Sequence, residues 1–464
     1  MKRFNPEVHG IAIPAAPTLE AAALQSFVER SIYAPSKDLI HPDNPFRRPL
    51  LNDAFREWHR DEYCLDDLSC NGSLVANRVL LSVYEQDFVF LPRTGFDAGK
   101  RDSFAEFYDR NARVTGEILS CRLEKLLFSC VSKSVHVSGD WDMPAFAAYF
   151  DDFKENFRAE KLSRLMDAIT SMRDPVGGAR NFLVQMAGDF LVESSAMARN
   201  VVGNYGPVQS ELFKVVIDEC GYGVHKTKHS TLFEDVLQSQ GLDPIPHTYW
   251  QLYLPTSMYL NNYYNYICRD HASVFRYFGA ILQVETAFRL TCEIMANMMK
   301  TVFGASAHID YFREHTHIDD HHSRMVMEKI VVPIVESHGE FALREIVRGF
   351  EESLVVGDQF TAGLQRQIDW IDCVDRDGDF RRLPAGTVPR AMQAVRGELC
   401  GTQMADAETG YQVDSGRLDF VFGIDKHFTL NAGDCITIPR NVLFGASAID
   451  DTDYRVHVVR ETAA

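Results

Sequence analysis

The sequence predicts a multidomain chain with an all-α helical bundle at its centre, a mostly helical N-terminal part and a C-terminal all-β barrel. Three observations lead there. The 464 residues exceed what one ordinary hydrophobic core takes in. Apolar residues recur at helical period through several long runs between 139 and 375. Beyond a Gly/Pro/Asp-rich stretch at 375–389 the period shortens to that of strands.

Residues 1–138 mix helical runs at 18–33 and 102–128 with Pro-rich connections, and their histidines (His9, His41, His59 and His136) are isolated. This part reads as an interaction or dimerisation domain. Around 138–144 the pattern restarts, and helices are expected over 146–169, 179–202, 211–240, 272–299, 309–335 and 341–370. Several exceed four turns, as an all-α bundle requires. A Tyr-rich stretch at 249–266, with Asn261, Asn262 and Asn265, reads as amphipathic packing around a pocket. Residues 390–464 carry short β-type runs at 412–421, 427–430, 435–438 and 454–459, spaced as in a small sandwich or barrel.

Composition removes several function classes. Hydrophobic residues make up 46% of the chain, yet no stretch approaches the roughly 18 apolar residues of a membrane span, and the first residues lead into no signal-peptide core. A cytoplasmic protein without a membrane partner is expected. The ten cysteines include no Cys-x-x-Cys pair and fit reduced thiols. A net charge of −18 with no basic stripe argues against nucleic acid as a partner.

Seven side chains of metal-ligand type stand out between 193 and 322: Glu193, Glu219, His229, Glu285, His315, Asp319 and His322. At about 100° per residue, His315, Asp319 and His322 (i, i+4, i+7) project from one stripe of one helix. The other four lie in segments that also read as helices. Glu193 and Glu285 interrupt apolar faces, where an unpaired carboxylate costs several kcal/mol. A salt-bridged structural glutamate would answer that cost at any single position, but interruptions of ligand type on four helices favour metal. Glu219 and His229 are ten apart and out of phase on an ideal helix, so the Cys220–Gly223 stretch is expected to break it. His225 then rivals His229, while His317 and His321 fall off the 315/319/322 stripe. Imidazole and carboxylate together suit a divalent metal such as iron, and the four carboxylates balance two such ions.

This ligand set resembles that of the heme-oxygenase-like diiron oxidases and oxygenases. With Glu193 as a further carboxylate, a helical N-terminal domain and a cupin-like C-terminal domain, the whole chain resembles their three-domain N-oxygenase members, including those that form nitrosoureas. The resemblance extends over the domains that the two breaks mark off at 1–138, 139–375 and 390–464. It implies two Fe(II)/Fe(III) ions held by all seven residues, O₂ as co-substrate, an external electron donor (a reductase or chemical reductant), a small nitrogenous substrate and a homodimer. In the nitrosourea-forming members the diiron domain hydroxylates guanidine nitrogens of an N-methylated arginine, and a cupin iron rearranges the product. Here the cupin pattern lapses: 401–408 holds no histidine, and the third ligand position is Phe444, leaving His427 and His457. The β-domain is therefore expected to hold no iron. N-oxygenation of a guanidine or amine derived from arginine, in natural-product biosynthesis, is the expected activity. The alternatives are N-oxygenation of a cyclic guanidine such as 2-aminoimidazole to a nitro compound, oxidative C–C or C–H cleavage, and a structural or metal-storing protein.

Overall fold

The computed structural model describes residues 19–36, 38–50, 60–135, 141–375 and 379–458; His9, His59 and His136 lie outside them. Thirteen α-helices precede eight strands among these residues. The first four, α1 (Leu19–Val28), α2 (Asn71–Tyr84), α3 (Ala98–Phe107) and α4 (Arg110–Ser134), form the N-terminal part, where α2 is buried on nearly every face. That surrounds it with neighbours: α2 packs on α4 and also on α10 (Pro255–Arg269). A buried ion pair joins the same two regions. Arg48 and Glu85 meet at 2.6 Å, Glu85 also faces His247 at 2.9 Å, and the Arg48 guanidinium lies 5.2 Å from the Trp250 ring.

The run expected at 146–169 is two helices, α5 (Met143–Asn156) and α6 (Glu160–Ser171), because Ala159 takes a left-handed φ of 47°. Asp142 caps α5 through the Ala145 N–H, with Pro144 in its first turn. Next come α7 (Pro175–Phe190), α8 (Pro207–Glu219), α9 (His229–Ser239) and α11 (Val274–Phe303). The helix expected over 309–335 is α12 (Asp310–Met325), and a π-helical turn at Val326–Val331 carries it into α13 (Val332–Asp375), itself kinked at Gly339. α11 packs along both α12 and α13. It comes so close to α13 that a Cβ on Gly279 would stand 1.8 Å from the Ile346 carbonyl oxygen, and one on Gly349 1.9 Å from that of Arg276.

The C-terminal strands are β1 (Arg390–Ala394), β2 (Leu399–Met404), β3 (Thr409–Ser415), β4 (Arg417–Gly423), β5 (Lys426–Asn431), β6 (Cys435–Ile438), β7 (Leu443–Ala448) and β8 (Thr452–Val458). They form two antiparallel four-stranded sheets, β1-β8-β3-β6 and β2-β7-β4-β5. The run at 412–421 is thus divided by a turn at Gly416, and β1, β2 and β7 had no clear alternation to reveal them. Tyr411, Phe420 and Phe444 fill the interior, with the Tyr411 ring 5.1 Å from Phe420 and 5.8 Å from Phe444. All ten cysteines are free. No helix among the described residues is long and apolar enough to cross a membrane.

Candidate metal centre

α12 presents one inward stripe. Tyr311, His315, Asp319 and His322 are buried on it, whereas His317 and His321 point to the exposed side. Helical phase alone separates the rivals here. On α8 and α9 the chain does something helical phase forbids: it brings Glu219 and His229 together, with Oε2 and Nδ1 2.6 Å apart. The break between them makes this reach, with Gly221, Tyr222 and Gly223 all at positive φ. Gly221 can carry no side chain, since its Cβ would meet the Lys228 nitrogen at 2.5 Å. His225 is exposed, with Nδ1 3.3 Å from the Thr231 hydroxyl, so it stays out of the cluster.

Glu193 is not on a helix. α7 ends at Phe190, and Glu193 sits in the turns beyond it, next to Ser194 at a φ of 65°. Tyr311 holds it by donating its hydroxyl hydrogen to Oε1 at 2.8 Å.

Two groups of donor atoms result, each mutually within 4.8 Å: Glu193, Glu219, His229 and His315 in one, Glu219, Glu285 and His322 in the other. Glu219 belongs to both. Asp319 belongs to neither group, yet Oδ1 lies 3.4 Å from Nδ1 of His315 and Oδ2 is buried without a hydrogen-bond partner. Sequence reasoning overlooked Asp218. Its Oδ2 stands 2.9 Å from Nε2 of His322, whose Nδ1 faces Glu285 Oε2 at 3.1 Å. One ring nitrogen is thereby engaged by a carboxylate outside both groups.

Whether these residues fit a metal can be judged from their unused atoms. Glu193 Oε2, Glu219 Oε2, His229 Nδ1, His315 Nε2 and Asp319 Oδ2 are all buried and none has a hydrogen-bond partner. Such groups are rare in folded proteins because each loses its hydration for nothing. The 2.6 Å contact between Glu219 and His229 likewise lacks hydrogen-bond geometry. Two lone pairs directed at a common point account for it, and the nitrogen and oxygen donors suit iron.

The same crowding shifts protonation. Burial raises the Asp319 carboxyl to about 7, Glu285 and Glu219 add to the rise, and His315 opposes it. Burial works against a charged His322, but the hydrogen bond and charge of Glu285 and the hydrogen bond of Asp218 outweigh it and lift the imidazole to about 10. Burial also works against a charged His315 and a charged Glu193, but their mutual attraction drives His315 well up and holds Glu193 below the ordinary range. The pocket is thus rich in anionic groups that demand positive charge.

A cavity of about 560 Å³ adjoins the cluster, with Glu193, Glu219, Glu285 and His315 in its lining. Much of the remaining wall is apolar, from Phe182, Met186, Phe190, Ile281, Phe288 and Leu354 among others. Its exposed lining residues, Asn156, Arg158, Glu160, Lys161 and Asp358, place the mouth between the α5–α6 junction and α13. From the Tyr-rich stretch Tyr264 reaches the cavity; Asn261, Asn262 and Asn265 are buried in hydrogen bonds to Gly188, Asn77 and Arg199.

Comparison with known proteins agrees with this geometry. Residues 180–358 match the model of a family described as iron-containing redox enzymes. Over 447 residues the chain is 40% identical to the nitrosourea synthase of Streptomyces achromogenes subsp. streptozoticus, with 94% of each chain covered.

Proposed function

The chain belongs to the heme-oxygenase-like iron-containing redox enzymes related to nitrosourea synthase, and from that premise we propose that it is a non-heme diiron N-oxygenase acting on a guanidine or amine derived from arginine. The observation that carries the reading is the pair of donor groups sharing Glu219. One ion would be held by Glu193, Glu219, His229 and His315, the other by Glu219, Glu285 and His322 with Asp319 supplying its unpartnered oxygen. Iron bound there supplies the electrons and the open coordination positions for activating O₂.

The protein's own part is positional. Tyr311 holds Oε1 of Glu193, which also lies 3.4 Å from Nε2 of His315, and leaves Oε2 buried without a partner. Asp218 engages Nε2 of His322, which fixes the ring's tautomer, so that Nδ1, beside Glu285, would be the nitrogen offered to an ion. The apolar walls exclude water from the substrate nitrogen and keep it against the Glu193, Glu219 and His315 side of the cavity. Reduction requires a separate donor, since the sequence holds no flavin or ferredoxin motif.

The β-domain serves packing in this reading, and the product is an N-oxygenated guanidine or amine with no rearrangement to a nitrosourea. Phe444, where the resemblance expects the third imidazole, packs with its ring 5.8 Å from that of Tyr411, and the two histidines of the domain lie on different sheets. His427 on β5 is exposed and faces Asp419 at 2.8 Å, while His457 on β8 faces Thr387 at 3.2 Å.

The test is anaerobic loading with Fe(II), then O₂ and reductant with candidate guanidines and amines, followed by mass spectrometry of the small molecules. Gain of oxygen by a substrate nitrogen, with about two irons per chain, is expected. At most one iron per chain, or a product of C–C or C–H cleavage with no N-oxygenated species, would refute the reading. A nitrosourea product or a third stoichiometric iron within 390–464 would overturn the part about the β-domain.

A further inference from the structure

We propose that Asp189 is the anionic anchor for the substrate, pairing with a guanidinium or ammonium group inside the cavity; this rests on the N-oxygenase reading above. Asp189 is the next-to-last residue of α7 and lines the same cavity as Glu193, Glu219, Glu285 and His315. Its backbone is fixed, with its carbonyl accepting from Val192 N–H at 2.9 Å and the neighbouring Gly188 carbonyl accepting from the Asn261 amide at 2.6 Å.

What marks this carboxylate is the company it lacks. The buried carboxylates of the described residues are matched, Glu85 by Arg48 and His247, Glu352 by Ser132, Tyr263 and Arg276, Asp43 by Lys100, and those of the metal centre by imidazoles, whereas half-buried Asp189 faces no cation. Around Asp189 only opposing influences act, namely burial followed by the negative charges of Glu193 and Glu85, which together raise its carboxyl to about 7. Tyr264 and Ser353, hydroxyls beside it in the lining, are committed to each other at 2.7 Å and to Gln283, to which Ser353 donates at 2.5 Å. The cationic lining residues, Arg158 and Lys161, are exposed at the mouth, and Lys161 already pairs with Asp358 at 2.6 Å.

An unpaired carboxylate in an apolar wall is unfavourable unless something brings it a cation. Nothing in the described protein does, whereas a substrate entering the cavity can. A guanidinium meets a carboxylate through two parallel charge-assisted N–H···O bonds, which would fix the nitrogens in orientation as well as in place. A neutral urea of the same shape would leave the carboxylate unmatched and bind less well. Asp189 is four residues before Glu193, so the anchor and the metal-facing glutamate come from one short segment.

The experiment is an anaerobic calorimetric titration of the full chain, iron-loaded and again after chelation, with Nω-methyl-L-arginine and with its uncharged counterpart L-citrulline. Wild type should prefer the cation by about 10-fold or more. Asp189→Asn should bind it about 10- to 100-fold more weakly and bind citrulline about as before, while Asp189→Glu, which keeps the charge, should restore most of the loss. In turnover the Asn variant should raise KM far more than it lowers kcat. The proposal is overturned if Asp189→Asn binds the cation like wild type, if it loses both ligands equally, or if the Glu variant is no better than the Asn one. It is overturned as well if wild type shows no preference between the two ligands. Oxygenation of guanidines by wild type together with any of these results would sink the anchor and spare the enzyme assignment; the expected selectivity with no N-oxygenation of any guanidine or amine would do the reverse.

Discussion

Among the described residues Glu219 alone has a donor in both ligand groups, and its removal should therefore differ in kind from removal of any other ligand. Glu219→Ala should lower the iron taken up under anaerobic loading from about two per chain to well under one. Glu285→Ala, which strips one group only, should keep about one iron and lose turnover. Metal analysis of the desalted proteins separates the two, and equal iron in both variants would contradict the shared position. Asp218 makes a finer point. If it fixes the tautomer of His322, Asp218→Asn should weaken iron by about 10- to 100-fold in chelator competition without changing its stoichiometry. This residue was not legible in the sequence because it adjoins Glu219, about 100° further round an ideal helix, and a lone aspartate at a helix end reads as a solvated terminus. Asp189 could have been found. It interrupts an apolar run just as Glu193 does, and the same desolvation cost marks both.

At the scale of elements, the tightest demand is the α11–α13 crossing. A methyl on Gly349 would stand 1.9 Å from a backbone oxygen that cannot move alone, so Gly349→Ala must push the helices apart. It should destabilise the protein by about 1–3 kcal/mol or more and lower iron occupancy, because α11 carries Glu285. Gly357 on the same helix is the control: its added Cβ meets nothing within 4 Å, so Gly357→Ala should raise stability by about 0.5–1 kcal/mol. Thermal melts of both variants check the contrast. Elements also show where sequence reading succeeds. The 315/319/322 stripe was legible because a continuous helix converts spacing directly into direction. The Glu219–His229 approach was legible only as a break at 220–223, since glycines announce a turn without saying where it leads. Glu193 looked helical, and the reason it is not lies in tertiary contact: Tyr311, more than a hundred residues away, holds its carboxylate.

Across the whole molecule, the sandwich is tied to the helices by buried side-chain bonds to backbone. Gln367 of α13 donates to the carbonyls of Phe422 and Leu443 at 2.7 and 3.0 Å and accepts from Leu443 N–H at 2.8 Å. Asn181 of α7 accepts from Ile424 N–H at 2.8 Å, and Arg78 of α2 donates to the Thr402 carbonyl at 3.3 Å. Deleting 390–464 would remove these partners and uncover apolar helix surface such as Trp370, which packs 5.4 Å from Phe422, so the truncated chain should aggregate on expression. Gln367→Ala is the milder probe: it should remove at least about 2 kcal/mol from denaturant unfolding and leave iron content unchanged. A soluble truncated protein with full iron would show that the ties carry little. These bonds also bear on descent. Gln367 meets main-chain atoms, which every strand residue possesses, so the strands can exchange side chains freely over generations while that one amide stays. The chemistry of the sandwich can be lost by point mutation, but the sandwich itself cannot be shed without rebuilding α2, α7 and α13 together.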